Sequence, residues 1–381
     1  MKNLHIASLL LAVSAIACTP THTIEVCNSS DIDRNGQLAE VPVRDIVAVM
    51  GNQQFVITDS DGTEVPYQIT HDSLLVFPTT VASNSTTTYQ LRPGTPAPVD
   101  TIACGAFYAP RKDDFAWEND RSAYRAYGPA LQATGEKAFG YDIWTKSVAH
   151  PVVAKRYHDA FAKISSFHED NGDGMDVYAV GPTLGAGTAA LLDAEGNIIF
   201  PWCYEKYEIL DNGPMRFSVA LTYPETEANG SKIRETRVIT LDAGEFLNKT
   251  AVTYAGLDSI STVAPGIVVH TDNPDGYVLD PERSIMAYAD LTDHPDNQNG
   301  VIYVGVVAPA ADSVANESFE QPQGNAAGHL LAKSSYKPGD TYIYYWGSGW
   351  SKGFMPDWES WIQYLNDFSD RLKSPLKITI K

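Results

Sequence analysis

From residue 24 onward, apolar and polar residues alternate in short bursts separated by turn-forming residues. A period of two puts successive side chains on opposite faces of an extended strand. The pattern predicts strands over 41–49, 54–58, 64–69, 73–78 and 87–91, with turns such as Asp61-Gly62 between them. These make a small β-sandwich region over 24–99, whose end, 92–99, is a linker punctuated by Pro93, Pro96 and Pro98. Further strands are predicted over 218–223, 232–241, 249–254, 266–270, 285–289, 301–307, 341–345 and 376–380. Residues 100–381 therefore read as a large double-sheet, supersandwich-like β-sandwich, and the fold class as mainly β. One C-terminal helix stands out. Asp357 can cap it, Trp358, Trp361, Ile362, Leu365, Phe368 and Leu372 recur at helical spacing, and Pro375 stops it.

The first residues break the pattern. A short positive start is followed by an apolar run from residue 4 to 16, too short to span a bilayer as a mature helix. It ends in Ala15-Ile16-Ala17-Cys18, small residues before a cysteine, as a lipoprotein signal peptidase requires. Residues 1–17 are expected to be a signal peptide, Cys18 the lipidated residue and 18–23 a polar tether. The expected location is the cell envelope, periplasmic or at the outer-membrane surface, with the lipid as the sole membrane contact.

Composition narrows the partners. The formal charge of −20 argues against nucleic acid, because phosphate binding needs a basic surface. Cys27, Cys104 and Cys203 show no metal-ligand spacing; a Cys27–Cys104 disulfide and three free thiols both fit. The 20 Tyr and 7 Trp suit a β-rich core, and also stacking on the C–H faces of sugar rings.

Within this acidic chain, residues 120–178 concentrate cations and aromatics, among them Arg125, Trp144, Lys146, Arg156, Tyr157 and Tyr178. Arginine forks and lysines at such a place suit a carboxylate or sulfate, though surface ion pairs account for them equally. The run HEDNGDGMD at 168–176 admits three readings. It is a catalytic loop with His168 as acid or base, a calcium loop, or a polar turn with two glycines. An EF-hand does not fit, since Glu169 opens the loop and Val180 stands where the bidentate Glu belongs. No cofactor is expected, with a calcium ion left open. The glycines of 181–187 read as a tight turn, and no GxSxG elbow or HExxH helix occurs. Trp346, Trp350 and Lys352 at 344–352 offer a sugar-stacking wall with a charged tip, or ordinary packing. His270 and His329 stand alone near strand ends and weigh little by themselves.

Five motifs, RAYGPAL at 125–131, YDIWTK at 141–146, the 168–178 loop, NGPMR at 212–216 and WSK at 350–352, resemble the bacterial family catalogued as domain of unknown function 4861. The resemblance covers nearly the whole chain after the signal segment. It implies an exported protein associated with polysaccharide degradation, with acidic plant or algal glycans as substrates and a link to dehydration of uronic-acid oligosaccharides.

Three functions follow. In the first, β-elimination, His168 removes the C5 proton of a uronic acid and Arg125 with Arg156 or Lys146 neutralises its carboxylate. Tyr157 or Tyr178 protonates the leaving oxygen, while Trp144, Trp346, Trp350 and Lys352 hold the sugar. A sugar leaving group makes it a lyase, and water makes it a dehydratase. In the second, Asp173 and Asp176 are the paired carboxylates of a glycoside hydrolase. In the third, the protein binds an acidic oligosaccharide or polysaccharide without turning it over.

Overall fold

The computed structural model describes residues 22–381. The expected signal segment and Cys18 lie outside the described residues. His22 and Thr23, assigned to the tether by sequence, already pair with Leu91 and Gln90 as the start of a strand.

The chain is mainly β, as the alternation predicts. Near the N-terminus a five-stranded sheet runs in the order Lys377–Ile380, His22–Asn28, Ser85–Pro93, Phe55–Thr58, Glu64–Val65. It shares a core with the three strands Arg34–Pro42, Leu74–Val81 and Gln68–Ile69. Ile24, Val26 and Leu91 from one sheet meet Val41, Leu75 and Phe77 from the other. The last strand of the chain pairs with the first, Ile24 opposite Ile380, so both ends close this small sandwich. The strand predicted over 41–49 stops at Pro42 and becomes the helix Val43–Met50. Its β-branched residues suggest a strand, but Ile46 and Met50, one turn apart, are the side chains it buries.

The large sandwich stacks two antiparallel sheets. The wider one runs Lys206–Asn212, Arg216–Thr222, Ser231–Asp242, Leu247–Ala255, Tyr342–Trp350, Ile302–Val307, Ile285–Asp290, Tyr277–Asp280, with Thr226–Ala228 paired at its side. The other runs Ile198–Ile199, Ala186–Leu192, Ser261–His270, Ala326–Tyr336, Ser313–Gln323. Residues 181–187, read as a turn, lead directly into the strand Ala186–Leu192. All seven of its residues are buried, so no alternation marks it. The wide sheet is covered on both faces. Met286 and Tyr288 enter the sandwich core, while Ile285 and Ala287 pack under the helix Trp358–Lys373. Asp357 caps that helix by accepting the Ser360 amide at 2.8 Å. Gly305 lets it approach, since a Cβ there would lie 2.8 Å from the Leu365 side chain.

A further four-stranded sheet carries Arg125 and several of the other residues singled out by sequence. Its order is Asp142–Trp144, Ala123–Ala126, Asp114–Glu118, Cys104–Tyr108. It joins the same core through Trp117, Tyr124 and Ile143, and a bridge from Tyr141 to Gly185 links it to the strand Ala186–Leu192. Cys27, Cys104 and Cys203 are all free thiols, so the disulfide alternative is not the one adopted. Burial pushes the Cys104 and Cys203 thiols up to about 11, which keeps them protonated.

Candidate functional site

Arg125 lies on the inner strand Ala123–Ala126, directly opposite Asp142. Residues facing each other across antiparallel strands put their side chains on one face, so the pair is adjacent by construction. Asp114 opens the strand on the other side, and Asp176 arrives through a bridge between Trp144 and Asp176. The Arg125 guanidinium contacts Asp142, lies 3.1 Å from Asp176 Oδ2 and 3.5 Å from Asp114 Oδ2, and donates to the Tyr127 hydroxyl at 3.3 Å. It stacks over the ring of Trp144, 5.3 Å from the centroid. The Tyr157 hydroxyl donates to Asp114 Oδ2 at 3.0 Å.

Three carboxylates thus surround one buried cation. Burial raises all three acids against the pull of Arg125, Asp114 to about 6, with Asp142 and Asp176 raised as well. One guanidinium cannot neutralise three anions away from water, so the cluster holds protons well above the usual carboxylate range.

His168 sits at the rim. Its Nδ1 is 2.8 Å from the Asp176 carbonyl oxygen. A carbonyl only accepts, so Nδ1 carries the hydrogen and the neutral ring presents its lone pair on Nε2. The side chain is 55% exposed and 3.8 Å from Asp176 Oδ2. Phe167 stacks on Trp144 at 5.0 Å and supports the turn from below. The loop after it is braced. Asp170 Oδ1 accepts the amides of Gly172 and Gly174 at 2.9 and 3.0 Å. Arg156 donates to the Asp173 side chain at 3.0 Å and to the carbonyls of Asp173 and Thr145. Gly174 is required, because a Cβ there would fall 2.2 Å from the Thr145 oxygen. Two carboxylates of the calcium reading, Asp170 and Asp173, are engaged by amides and an arginine, and among the described residues no His, Cys, Asp and Glu groups are arranged to hold a metal.

The structure brings His168, Arg125, Trp144, Tyr157 and Asp176 together, with Arg156 and Asp173 as their brace. Other expected roles change. The Arg125 guanidinium is buried and faces the protein's own three acids, so it is not presented to a substrate carboxylate. Lys146 is fully buried, its ammonium shared among Glu118 at 2.6 Å and the carbonyls of Asn119 and His150. Arg156 is spent on the loop. Trp346 stacks on Tyr141 at 4.1 Å in the core, and Trp350 is buried with its indole N–H donated to Asn299. Trp144 is buried too, so none of the three tryptophans presents a free face. Lys352 is exposed at the chain's surface. Tyr178 is buried, and its hydroxyl has no partner among the described residues.

Sequence reasoning missed Asp114 and Arg111, and it missed the partners of Asp142 and His270. Asp114 and Asp142 complete the acid cluster; Asp142 lay inside a motif already singled out, and only strand register reveals its partner. Arg111, half-buried on the turn Ala109–Arg111, is close enough to lower Asp114 and Asp176, and no carboxylate pairs with it among the described residues. His270 has a carboxylate partner, its Nδ1 lying 2.6 Å from Asp290 Oδ2.

A cleft of about 400 Å3 lies elsewhere, between the small sandwich, the wide sheet and the C-terminal helix. Arg216 pairs there with Asp242 and Glu40, Arg371 with Glu245, and His71 Nδ1 lies 2.7 Å from Asp211 Oδ2, so most of its charges form an ionic joint between the small sandwich and the wide sheet.

A family model described as "Domain of unknown function (DUF4861)" matches residues 26–378. A protein described as uncharacterized protein P7 from Formosa agariphila is 27% identical over 386 residues, spanning 94% of this chain and 93% of that one. Among solved structures, a protein in the Glycosyl Hydrolase Family 38 from Enterococcus faecalis is similar with a TM-score of 0.51 at 9% identity. That match covers 95% of this chain and 47% of the other, so the chain spans about half its length, and the likeness is one of fold.

Proposed function

The chain belongs to the family described as Domain of unknown function (DUF4861), and from that premise we propose an exported carbohydrate-active enzyme that acts on acidic oligosaccharides by β-elimination. The observation that carries the reading is the His168 ring, fixed through Nδ1 on the Asp176 carbonyl and 55% exposed, which leaves Nε2 as the nitrogen not held by the protein. A fixed, half-exposed imidazole is a suitable base for the C5 proton of a uronic acid. That proton is weakly acidic, so the neighbouring substrate carboxylate must be neutralised. Arg111 is the cation left for this, because Arg125, Arg156 and Lys146 are consumed by the protein. Arg125 instead orders the acid cluster that sets the potential of the site. Loss of a sugar defines a lyase and loss of water a dehydratase.

A hydrolase is less well supported. It needs two carboxyl groups flanking the scissile bond, whereas Asp173 is held by Arg156 and Asp176 by Arg125. The fold relative carries a glycosyl hydrolase name, which makes carbohydrates the substrates to try first. Lipidation of Cys18 at the cell envelope belongs to the same proposal.

The test is ultraviolet absorbance of a conjugated uronate when folded protein meets a panel of uronate and sulfated oligosaccharides. His168→Ala should lower the rate about 10²–10⁴-fold. No new absorbance from the wild type removes the elimination reading, and reducing ends without absorbance favour hydrolysis.

A further inference from the structure

An elimination needs an acid as well as a base, and the hydroxyl of Tyr157 is already committed to Asp114. A second acid–base pair lies where the two large sheets meet. His270 ends the strand Ser261–His270, and Asp290 ends the strand Ile285–Asp290 of the opposite sheet. Asp290 is held at both oxygens. One accepts His270 Nδ1 at 2.6 Å, and the other accepts the Thr292 amide at 2.8 Å. Both residues are more than nine-tenths buried.

Two buried polar atoms here make no hydrogen bond of ordinary geometry among the described residues, His270 Nε2 and the Tyr178 hydroxyl, although the Ala179 backbone lies beside the His270 ring. Their rings pack edge to face, 6.0 Å apart. Buried donors and acceptors are almost always paired, so two adjacent exceptions on facing elements point to a group supplied from outside. The place is linked through the backbone to the His168 site. Tyr178 follows Asp176 by two residues, about 7 Å along an extended chain. The Asp293 amide donates to the Val177 carbonyl between them at 2.9 Å, tying the segment after Asp290 to this stretch.

We propose that the His270–Asp290 pair is the general acid of the site, delivering a proton from His270 Nε2 to the departing oxygen while the Tyr178 hydroxyl holds that oxygen. The inference rests on the β-elimination reading. His168 Nε2 takes the C5 proton, the C–H electron pair becomes the C4=C5 double bond, and the C4–O bond breaks with its pair going to oxygen. That oxygen receives the His270 proton and leaves as an alcohol or water. His168 then loses its proton to solvent, and His270 regains one. Asp290 suits this role because it stabilises the imidazolium. Burial alone would lower the ring's pKa, but the bond and charge of Asp290 outweigh it and raise it above the ordinary value.

The experiment compares two uronate substrates, one with an oxygen leaving group at C4 and one with fluoride, which departs without needing a proton. His270→Gln should lower elimination of the oxygen substrate about 10²–10⁴-fold and of the fluoride substrate less than about tenfold. Equal losses on both would overturn the assignment and leave His270 a structural residue. If His270→Gln does not fold, Asp290→Asn is put to the same comparison with the same expectation. Wild-type protein that eliminates neither substrate refutes the β-elimination reading itself, and this inference with it; that outcome is visible before any variant is made.

Discussion

Arg237 and Arg125 both lie buried among carboxylates and aromatic rings, yet their surroundings are charge-balanced in one region and not in the other. Arg237 pairs with Glu235 alone, donates to the Tyr141 hydroxyl at 3.2 Å and the Ala189 carbonyl at 3.0 Å, and sits 4.1 Å over the Tyr223 ring. One cation meets one acid, each of its three guanidinium nitrogens has a partner, and the unit joins the two large sheets. Arg125 meets three acids. Burial raises all three carboxyl groups, Asp114 and Asp176 to about 6 and Asp142 to about 7, so they take up protons more readily than ordinary carboxylates, and a half-exposed histidine stands at their edge. The balanced cluster joins the two large sheets, and the unbalanced one is where the proposed function places proton transfer.

Breaking the balanced pair should have the largest effect. Glu235→Gln leaves Arg237 buried without a counter-charge and should cost about 3–5 kcal/mol in denaturant unfolding. Next comes the free cation beside the unbalanced cluster. Arg111→Gln should raise KM for a uronate substrate on the order of 100-fold, about 2.7 kcal/mol, with kcat much less affected. A neutral sugar substrate should show no such change.

The smallest effect is the one that sharpens the comparison most. A carboxyl group whose pKa is raised by folding keeps its proton in the native state after the unfolded chain has lost it. Stability from this source is therefore fully present below the unfolded value of 3.8 and falls as pH rises toward about 6 for Asp114. Asp114→Asn should flatten that decline by on the order of 1–2 kcal/mol, followed by thermal unfolding across the window. An unchanged slope would mean that Asp114 is not holding a proton in the folded protein.

Much of the fold was legible in the sequence where one face of a strand differs from the other. Ser231–Asp242 alternates buried and less buried positions along its length, and the alternation predicts it well. Ala186–Leu192, buried throughout and rich in small residues, carries no such signal. The helix Trp358–Lys373 was legible from its cap, its spacing and its terminating proline, while Val43–Met50 was hidden by β-branched residues. The site was legible in part. Local density of charge and aromatics led to Arg125, His168, Tyr157 and Asp176. It also led to Lys146 and Arg156, because composition reports a charge without reporting its partner. His270 looked isolated because Asp290 is twenty residues away on the opposite sheet, and only the stacking of the sheets joins them.

The most direct test of the account is proton NMR of a uronate oligosaccharide incubated with the folded wild-type protein. The account predicts a vinyl signal from the C4 hydrogen of a new C4=C5 double bond, absent when His168→Ala replaces the wild type. Unchanged substrate, or new reducing ends with no vinyl signal, would contradict it.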